Sequence, residues 1–314
     1  MSSEPLSSIT ISHRRALAAA LLVTLLWSSS WVLIRIGLDD GDGLPPLTFA
    51  GLRYSLAAAV LWGAVAARRR PTERLRWAPG ELRGLVLLGV VFYAITQGAQ
   101  FVAIANQPAA TTSLILSLTP LLVGLVGGRV LGERASARQF GGALLVVAGA
   151  TTYFAAGLGA TAVGLTAAVV GLAANVVGSV LGRHVNRSAG RSAVVVTAVS
   201  MSVGSAVLLV AGVAVEGLPH PNGRTLAIVA WLAVVNTALA FTLWNLALRR
   251  LTAVESAGIN NLMLIQIAVL AWVFLDEPLG VTGTVGVVLV SAGVYLTQRV
   301  SPGSTSRGSG RGRP

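Results

Sequence analysis

The chain has 314 residues, of which 54% are hydrophobic and only 11% charged, with a formal net charge of +12. A soluble chain carries about 25% charge, and here apolar runs recur from end to end, so a pair of soluble domains is excluded. There is no Cys, which removes disulfides, thiol chemistry and Cys-based metal sites.

In chain order, runs long enough to cross a bilayer as helices are predicted at 16–37, 46–67, 84–105, 109–131, 137–156, 162–182, 193–215, 225–248, 254–275 and 280–298. A hydrocarbon core needs about 20 apolar residues per helix. None of these runs alternates in the short segments of a barrel strand. They are rich in Ala, Leu and Gly, as close helix packing in lipid requires. The expected fold is therefore an all-α integral membrane protein of about ten transmembrane helices. The first run follows Arg14-Arg15 but is longer than a signal-peptide core. No small-x-small cleavage site follows it, so it reads as a retained helix. Residues 1–15 form a short N-terminal segment, and 299–314, rich in Gly, Ser and Arg, form a basic tail expected to be disordered.

Every basic residue is Arg, and their placement sets the orientation. The N-terminus (Arg14, Arg15) and the loops holding Arg68–Arg83, Arg129–Arg138, Arg183–Arg191 and Arg249-Arg250 fall on one side, as does the tail. Only Arg35 and Arg224 lie toward the other side, and Arg53 lies inside a span. The positive-inside rule puts both termini in the cytoplasm of a bacterial-type inner (plasma) membrane, with Asp39, Asp40 and Asp42 outside. Topology and contact with anionic lipid thus account for the basic excess, and nucleic acid is not a predicted partner.

Polar groups inside the hydrocarbon need a partner or a water-filled cavity. On helix 1, Trp27, Trp31 and Arg35 share a face. On helix 2, Arg53 lies roughly 10 Å inside the span at 1.5 Å per residue. A charge near a helix centre costs at least about 2.5–3.5 kcal/mol. Its planar fork suits either a substrate carboxylate or carbonyls at a helix break. Tyr93, Gln97 and Gln100 lie at i, i+4 and i+7 of helix 3. Pro120 interrupts helix 4 and frees a carbonyl near Leu116. Asn175 follows on helix 6, then Asn236, Thr237, Phe241 and Trp244 on helix 8, and Asn260 and Asn261 on helix 9. Trp27, Trp31, Arg53, Tyr93, Gln97, Gln100, Asn175, Asn236, Thr237, Phe241, Trp244 and Asn261 are the candidate substrate-binding residues. The alternative for each polar member is an interhelical hydrogen bond, worth about 0.6 kcal/mol. His13, His184 and His220 are far apart, so neither a catalytic set nor a metal cluster is expected, and no cofactor is implied. The acidic residues fall in loops, tails or span ends, and Glu133 and Glu277 read as links at the membrane edge.

Sliding the chain by 144 residues lays Gly141–Gly149 on Val285–Gly293 and Leu131-Gly132-Glu133 on Leu275-Asp276-Glu277. Residues 16–156 and 162–298 thus read as two five-helix repeats. An odd number of spans per repeat inserts the second upside down, and a binding site then lies near the midplane between the halves. Gly142, Gly149, Gly286 and Gly293 read as close helix contacts, and the glycine-bearing helices 5 and 10 offer a homodimer surface.

The chain resembles the drug/metabolite transporter superfamily in its ten-helix EamA-type branch. The resemblance is carried by Leu26-Trp27-Ser28-Ser29-Ser30-Trp31, Phe49-Ala50-Gly51-Leu52-Arg53-Tyr54, Ser117-Leu118-Thr119-Pro120-Leu121 with Leu131-Gly132-Glu133, and Ala271–Glu277. Leu264 stands where the family commonly has a Pro, which suggests a straighter helix 9 than helix 4. The resemblance implies a secondary transporter that exports small metabolites, often amino acids, through a central cavity by alternating access. The alternative is a passive channel or a lipid-translocating protein. An ATP-driven pump is excluded on this chain, because a Walker A loop requires Lys. A serine hydrolase needs an activated Ser and a base, and Gly190-Arg191-Ser192 has no His partner, so an enzyme is not expected.

Overall fold

In lipid every backbone N–H and C=O must be paired within the protein, which long apolar runs achieve as helices. The computed structural model of the chain describes residues 12–39, 44–68, 79–119, 122–123, 137–155, 159–188, 193–218, 220–248, 251, 253–277 and 280–298. Pro120, Glu133, Asp40, Asp42, the arginine loops at 69–76, the Gly190-Arg191-Ser192 segment and the 299–314 tail lie outside these residues, as does the side chain of Asn261.

Among the described residues the chain forms ten helical rods and no strand. α1 is His13–Asp39 and α2 is Pro46–Arg68. α3 covers 79–106 in three continuous pieces: Pro79–Leu88, a π-helical Gly89–Ile95, and Thr96–Asn106. α4 is Ala109–Leu116, α5 Ala137–Ala155, α6 Ala162–Ser188 and α7 Ala193–Glu216. α8 covers 223–248, with a π-helical Val234–Leu239 between Gly223–Ala233 and Ala240–Leu248. α9 is Ala253–Leu275 and α10 is Gly280–Gln298. Five rods are long and apolar enough to cross a membrane, with shorter apolar stretches at Phe140–Tyr153, Gly223–Leu239, Leu262–Leu275 and Gly280–Leu296.

The helix ends depart from the apolar runs where polar residues can still be helical. α3 starts at Pro79, ahead of the run at 84, because Pro fits the first turn and Glu81 complements the positive helix end. α6 continues past the run at 182 through polar residues to Ser188. α4 is regular only to Leu116; Ser117 and Leu118 turn, and Leu118 N bonds Ile115 O at 3.2 Å. Residues preceding a proline are pushed out of regular helix, which explains a break just before Pro120. α9 has no such break.

The rods pack in a pattern that survives exchanging helices 1–5 for helices 6–10. α2 lies along α7 and α5 along α10, while α3 with α6 is answered by α8 with α1, and α4 with α6 by α9 with α1. Glycine sets the closest approach. A Cβ on Gly149 would lie 2.8 Å from Gly286 O, and one on Gly293 would lie 2.6 Å from Gly142 O. Those two pairings are related by the 144-residue offset, and they make α5 and α10 antiparallel. The glycine faces are thus occupied within the chain. Phe140, Leu144 and Val147 of α5 and Val281, Val285 and Val288 of α10 are exposed.

Two acids hold helix starts. The Glu216 carboxylate, ending α7, accepts from Leu47 N (2.9 Å), Thr48 N (2.9 Å) and Thr48 Oγ1 (2.8 Å) at the start of α2. Glu277, just after α9, accepts from Ala109 N at 3.2 Å at the start of α4. A carboxylate there satisfies donors that have no helical partner and faces the positive helix end.

Candidate substrate-binding site

The break in α4 opens a cavity of about 340 Å³ among α1, α4, α6, α9 and α10. Trp31 of α1, Ser113, Ser117 and Thr119 of the α4 segment, Asn175 of α6, Asn260 of α9 and Ser291 of α10 line it, with Leu116, Met263, Leu264 and Val294 as apolar wall. The carbonyl released by the break is satisfied locally. Thr119 Oγ1 donates to Leu116 O at 2.7 Å, and Asn175 Nδ2 donates to Thr119 Oγ1 at 3.0 Å. This relay fixes the Asn175 amide in the wall and leaves its second N–H and its carbonyl uncommitted by it.

The serines have spent their protons. Ser113 Oγ donates to Ala110 O (2.8 Å), Ser117 Oγ to Leu114 O (2.7 Å) and Ser291 Oγ to Val287 O (2.8 Å). A hydroxyl has one proton and two lone pairs, so these three line the cavity as acceptors. Donors come from the amides of Asn175 and Asn260. Among the described residues no ionised side chain lines the cavity. Apolar walls with a few polar anchors, in a volume of a few hundred Å³, are the usual make-up of a small-molecule site. The arrangement suits a ligand with both donor and acceptor ends and no net charge.

The other sequence-predicted residues gather elsewhere. Arg53 is 6% exposed, with its guanidinium carbon 5.3 Å from the Tyr54 ring centroid and its Nε unpartnered among the described residues. Tyr54 Oη donates to Gln97 Oε1 at 2.6 Å, and the Tyr54 and Tyr93 rings lie 6.1 Å apart. Arg53, Tyr93 and Gln97 therefore form one cluster between α2 and α3, joined by Tyr54. Gln100 is half-buried and makes no hydrogen bond to a described residue. Trp27 packs against Phe241 and Trp244 across α1 and α8, each at a centroid distance of 5.3 Å. Asn236 Nδ2 donates to Leu26 O, to Ser30 Oγ at 2.9 Å and to Ser29 Oγ at 3.2 Å, so it ties α8 to α1. Thr237 Oγ1 donates to Leu232 O at 2.9 Å, five residues back within the π-helical stretch. Thr96 does the same to Val91 O at 2.9 Å in α3.

Of the eleven candidates whose side chains are described, Trp31 and Asn175 reach the central cavity. Ser113, Ser117, Thr119, Met263 and Ser291 were not anticipated. Their signal is faint: Ser113 and Ser117 at i, i+4 just ahead of Pro120. Gln266 is a further polar residue inside a span that no sequence pattern singles out. It accepts from Ser28 Oγ at 3.0 Å and donates to Thr24 Oγ1 at 3.4 Å, joining α9 to α1. Among the described residues no three His, Asp or Glu side chains come together as a metal site.

The profile of the EamA-like transporter family matches this chain twice, over residues 14–155 and 162–299. The chain belongs to the EamA-like transporter family. It is accordingly a multi-pass membrane protein and a small-molecule transporter, not an enzyme. Relatives of EamA type include a protein of Salmonella typhimurium named "probable amino-acid metabolite efflux pump", 27% identical over 88% of this chain and 92% of its own length. Another, from Streptantibioticus cattleyicolor, is named "probable terminal-alkyne amino-acid exporter" and is 28% identical over 95% of this chain and 98% of its own. A solved crystal structure shares the fold, with a TM-score of 0.62 at 21% identity, covering 91% of this chain and 98% of that one.

Proposed function

We propose that this protein is a secondary carrier that exports a net-neutral zwitterionic metabolite, an amino acid or close derivative, by alternating access. The observation that carries the reading is the central cavity: acceptor hydroxyls and amide donors face one another there across an apolar wall, with no ionised group among the described lining residues to demand a net charge. Relatives named for amino-acid efflux support the substrate class and the direction. The exchange symmetry of the helix packing supports two inverted five-helix repeats with the cavity between them. The arginine distribution supports both termini in the cytoplasm of a bacterial inner membrane. Arg53, buried with a spare Nε, serves as a further contact for the substrate carboxylate when the α2–α3 cluster opens onto the path. A homodimer, where it forms, uses the outward apolar faces of α5 and α10.

The test is counterflow in proteoliposomes. Purified protein is reconstituted, loaded in turn with each of the twenty amino acids, and supplied with the labelled form outside. Saturable, trans-stimulated exchange of at least one is expected. Flux that rises linearly with concentration and ignores the trans side would replace the carrier with a channel.

A further inference from the structure

A second polar cavity, of about 490 Å³, lies beyond the C-terminal ends of α1, α3 and α9. Its wall contains Arg35 and Asp39 of α1, Asn106 and Gln107 at the end of α3, and Asp276 and Glu277 after α9. It lies along the same helices as the central cavity. Trp31 lines the central cavity and Arg35, one turn on, lines this one; Ser113 and Pro108 stand in the same relation at α4. Ile34, Ala109, Ala110 and Ala271 in these same helices are completely or almost completely buried. The two cavities are thus successive chambers along α1, α4 and α9, with buried apolar side chains between them.

The chemistry of the second chamber is not that of a self-satisfied loop network. Among the described residues Arg35 is held by two contacts, Nε to Asp39 Oδ2 at 2.8 Å and Nη1 to Ile104 O. A guanidinium has five N–H donors, so this fixed group keeps donors to spare. On the opposite side Glu277 accepts from Ala109 N on Oε1, with the Ala110 N–H close by, while its Oε2 is buried with no hydrogen-bond partner of its own among the described residues. Gln107 is 2% exposed; its Nε2 donates to Thr112 Oγ1 at 2.9 Å and its Oε1 has no partner. Buried polar atoms are nearly always paired, and an orphan calls for an occupant. One chamber therefore holds a preorganised cation with free donors and two buried acceptors that lack a donor.

We propose that this chamber is a second substrate subsite, in which a zwitterion sets its carboxylate on the spare N–H groups of Arg35 and its ammonium on Glu277 Oε2. The inference rests on the carrier reading above and deepens it. Substrate leaving the uncharged central cavity is handed to a charged site at the far mouth, where solvent can compete for both of its ends. Asp39 orients Arg35 and faces open solvent; Asp276 contributes negative potential at the rim. Burial leaves the Glu277 carboxyl short of charge compensation, which an ammonium supplies.

Right-side-out and inside-out membrane vesicles present the two faces separately. L-leucine is the probe, with isopentylamine as its analogue lacking the carboxylate. Arg35→Gln and Glu277→Gln should raise the half-saturation for L-leucine about tenfold at the face carrying this chamber, as loss of one charge-assisted hydrogen bond gives. The other face should stay within about twofold, well short of such a loss. Arg35→Gln should also abolish the preference for L-leucine over isopentylamine at that face. Glu277→Gln keeps an oxygen for Ala109 N, so folding is retained; Asp39→Asn, at an exposed residue, is the milder variant and should weaken the same face alone. Equal weakening at both faces, or none, overturns the subsite. An active wild type with unaltered variants overturns this site alone. A wild type that exchanges none of the twenty amino acids overturns the carrier reading together with it.

Discussion

Gly149→Ala should destabilise the fold by a predictable amount. The added Cβ would meet Val290 N at 2.7 Å, Gly286 O at 2.8 Å and Leu289 Cβ at 2.8 Å, where ordinary contact begins at 3.4 Å. Two of those three atoms are backbone, so no rotamer change relieves the clash and α5 must move away from α10. Overpacking of this kind costs about 1–3 kcal/mol, a fall of about 5- to 150-fold in the folding equilibrium constant. Gly141, on the same helix, is the control, since a Cβ there meets nothing within 4 Å. Gly141→Ala should be neutral or slightly stabilising, because Ala is favoured over Gly in a helix interior by about 1 kcal/mol. Reversible unfolding in mixed detergent–SDS micelles, followed by tryptophan fluorescence, measures both. If Gly149→Ala matches Gly141→Ala, the close α5–α10 packing is wrong.

Asn175→Ala removes the anchor of the Thr119–Leu116 relay. It should raise the half-saturation for substrate in counterflow by about tenfold or more, while Thr151→Ala, at an exposed residue of α5 that lines neither cavity, leaves it unchanged. Arg53→Gln should lose transport yet remain monodisperse on size exclusion, and Arg53→Lys should keep only part of the activity, since Lys cannot make a bidentate pair; wild-type kinetics in Arg53→Gln would remove Arg53 from the substrate path. Burial raises the Glu277 carboxyl above its ordinary value of 4.5, against the pull of the Ala109 and Ala110 N–H groups and Arg35, and with a further push from Asp39. The folded state then holds this proton more tightly than the unfolded state, so its contribution to stability is fullest below pH 4.5 and is lost as pH rises through the raised value. Melting temperatures between pH 4 and 8 should show wild type losing stability relative to Glu277→Gln as pH rises, and parallel curves would contradict this. One-sided maleimide labelling of a Cys at Asp39, introduced into a chain with no other Cys, should occur only from outside the cell.

The rods were legible because lipid imposes a length and a composition on each, and the glycines of α5 and α10 were legible because only close backbone approach explains their spacing. Glu277 was likewise readable as a link, being an acid set where a helix leaves the membrane. The cavity was much less so. Ser113, Ser117 and Ser291 each bond their own helix, so in sequence they look like packing residues, and only their convergence gives them a role. Tyr54 joins Gln97 across 43 positions of chain, a pairing that no local pattern encodes. Asn236 and Thr237 show the reverse: polarity inside a span marked them, but their hydrogen bonds go to the helices themselves.

The π-helical stretches of α3 and α8 have a consequence for how this chain can be altered. Each widened turn absorbs one residue more than a regular turn would hold, and each sits at nearly the same place in its half. Deleting the extra residue there, Val90 for instance, would let the turn relax to ordinary α-helix with the rest of the rod held in its present direction, whereas the same deletion in a regular turn would rotate everything beyond it by about 100°. Gln97 would keep its bond to Tyr54 after a deletion in the widened turn and would swing off that partner after one in the regular turns of Pro79–Leu88. Length within these stretches is thus a coordinate as informative as residue identity. A one-residue gap at 89–95 or 234–239 is thus one that the polar residues beyond it survive without changing direction, while the same gap elsewhere in α3 or α8 turns them away.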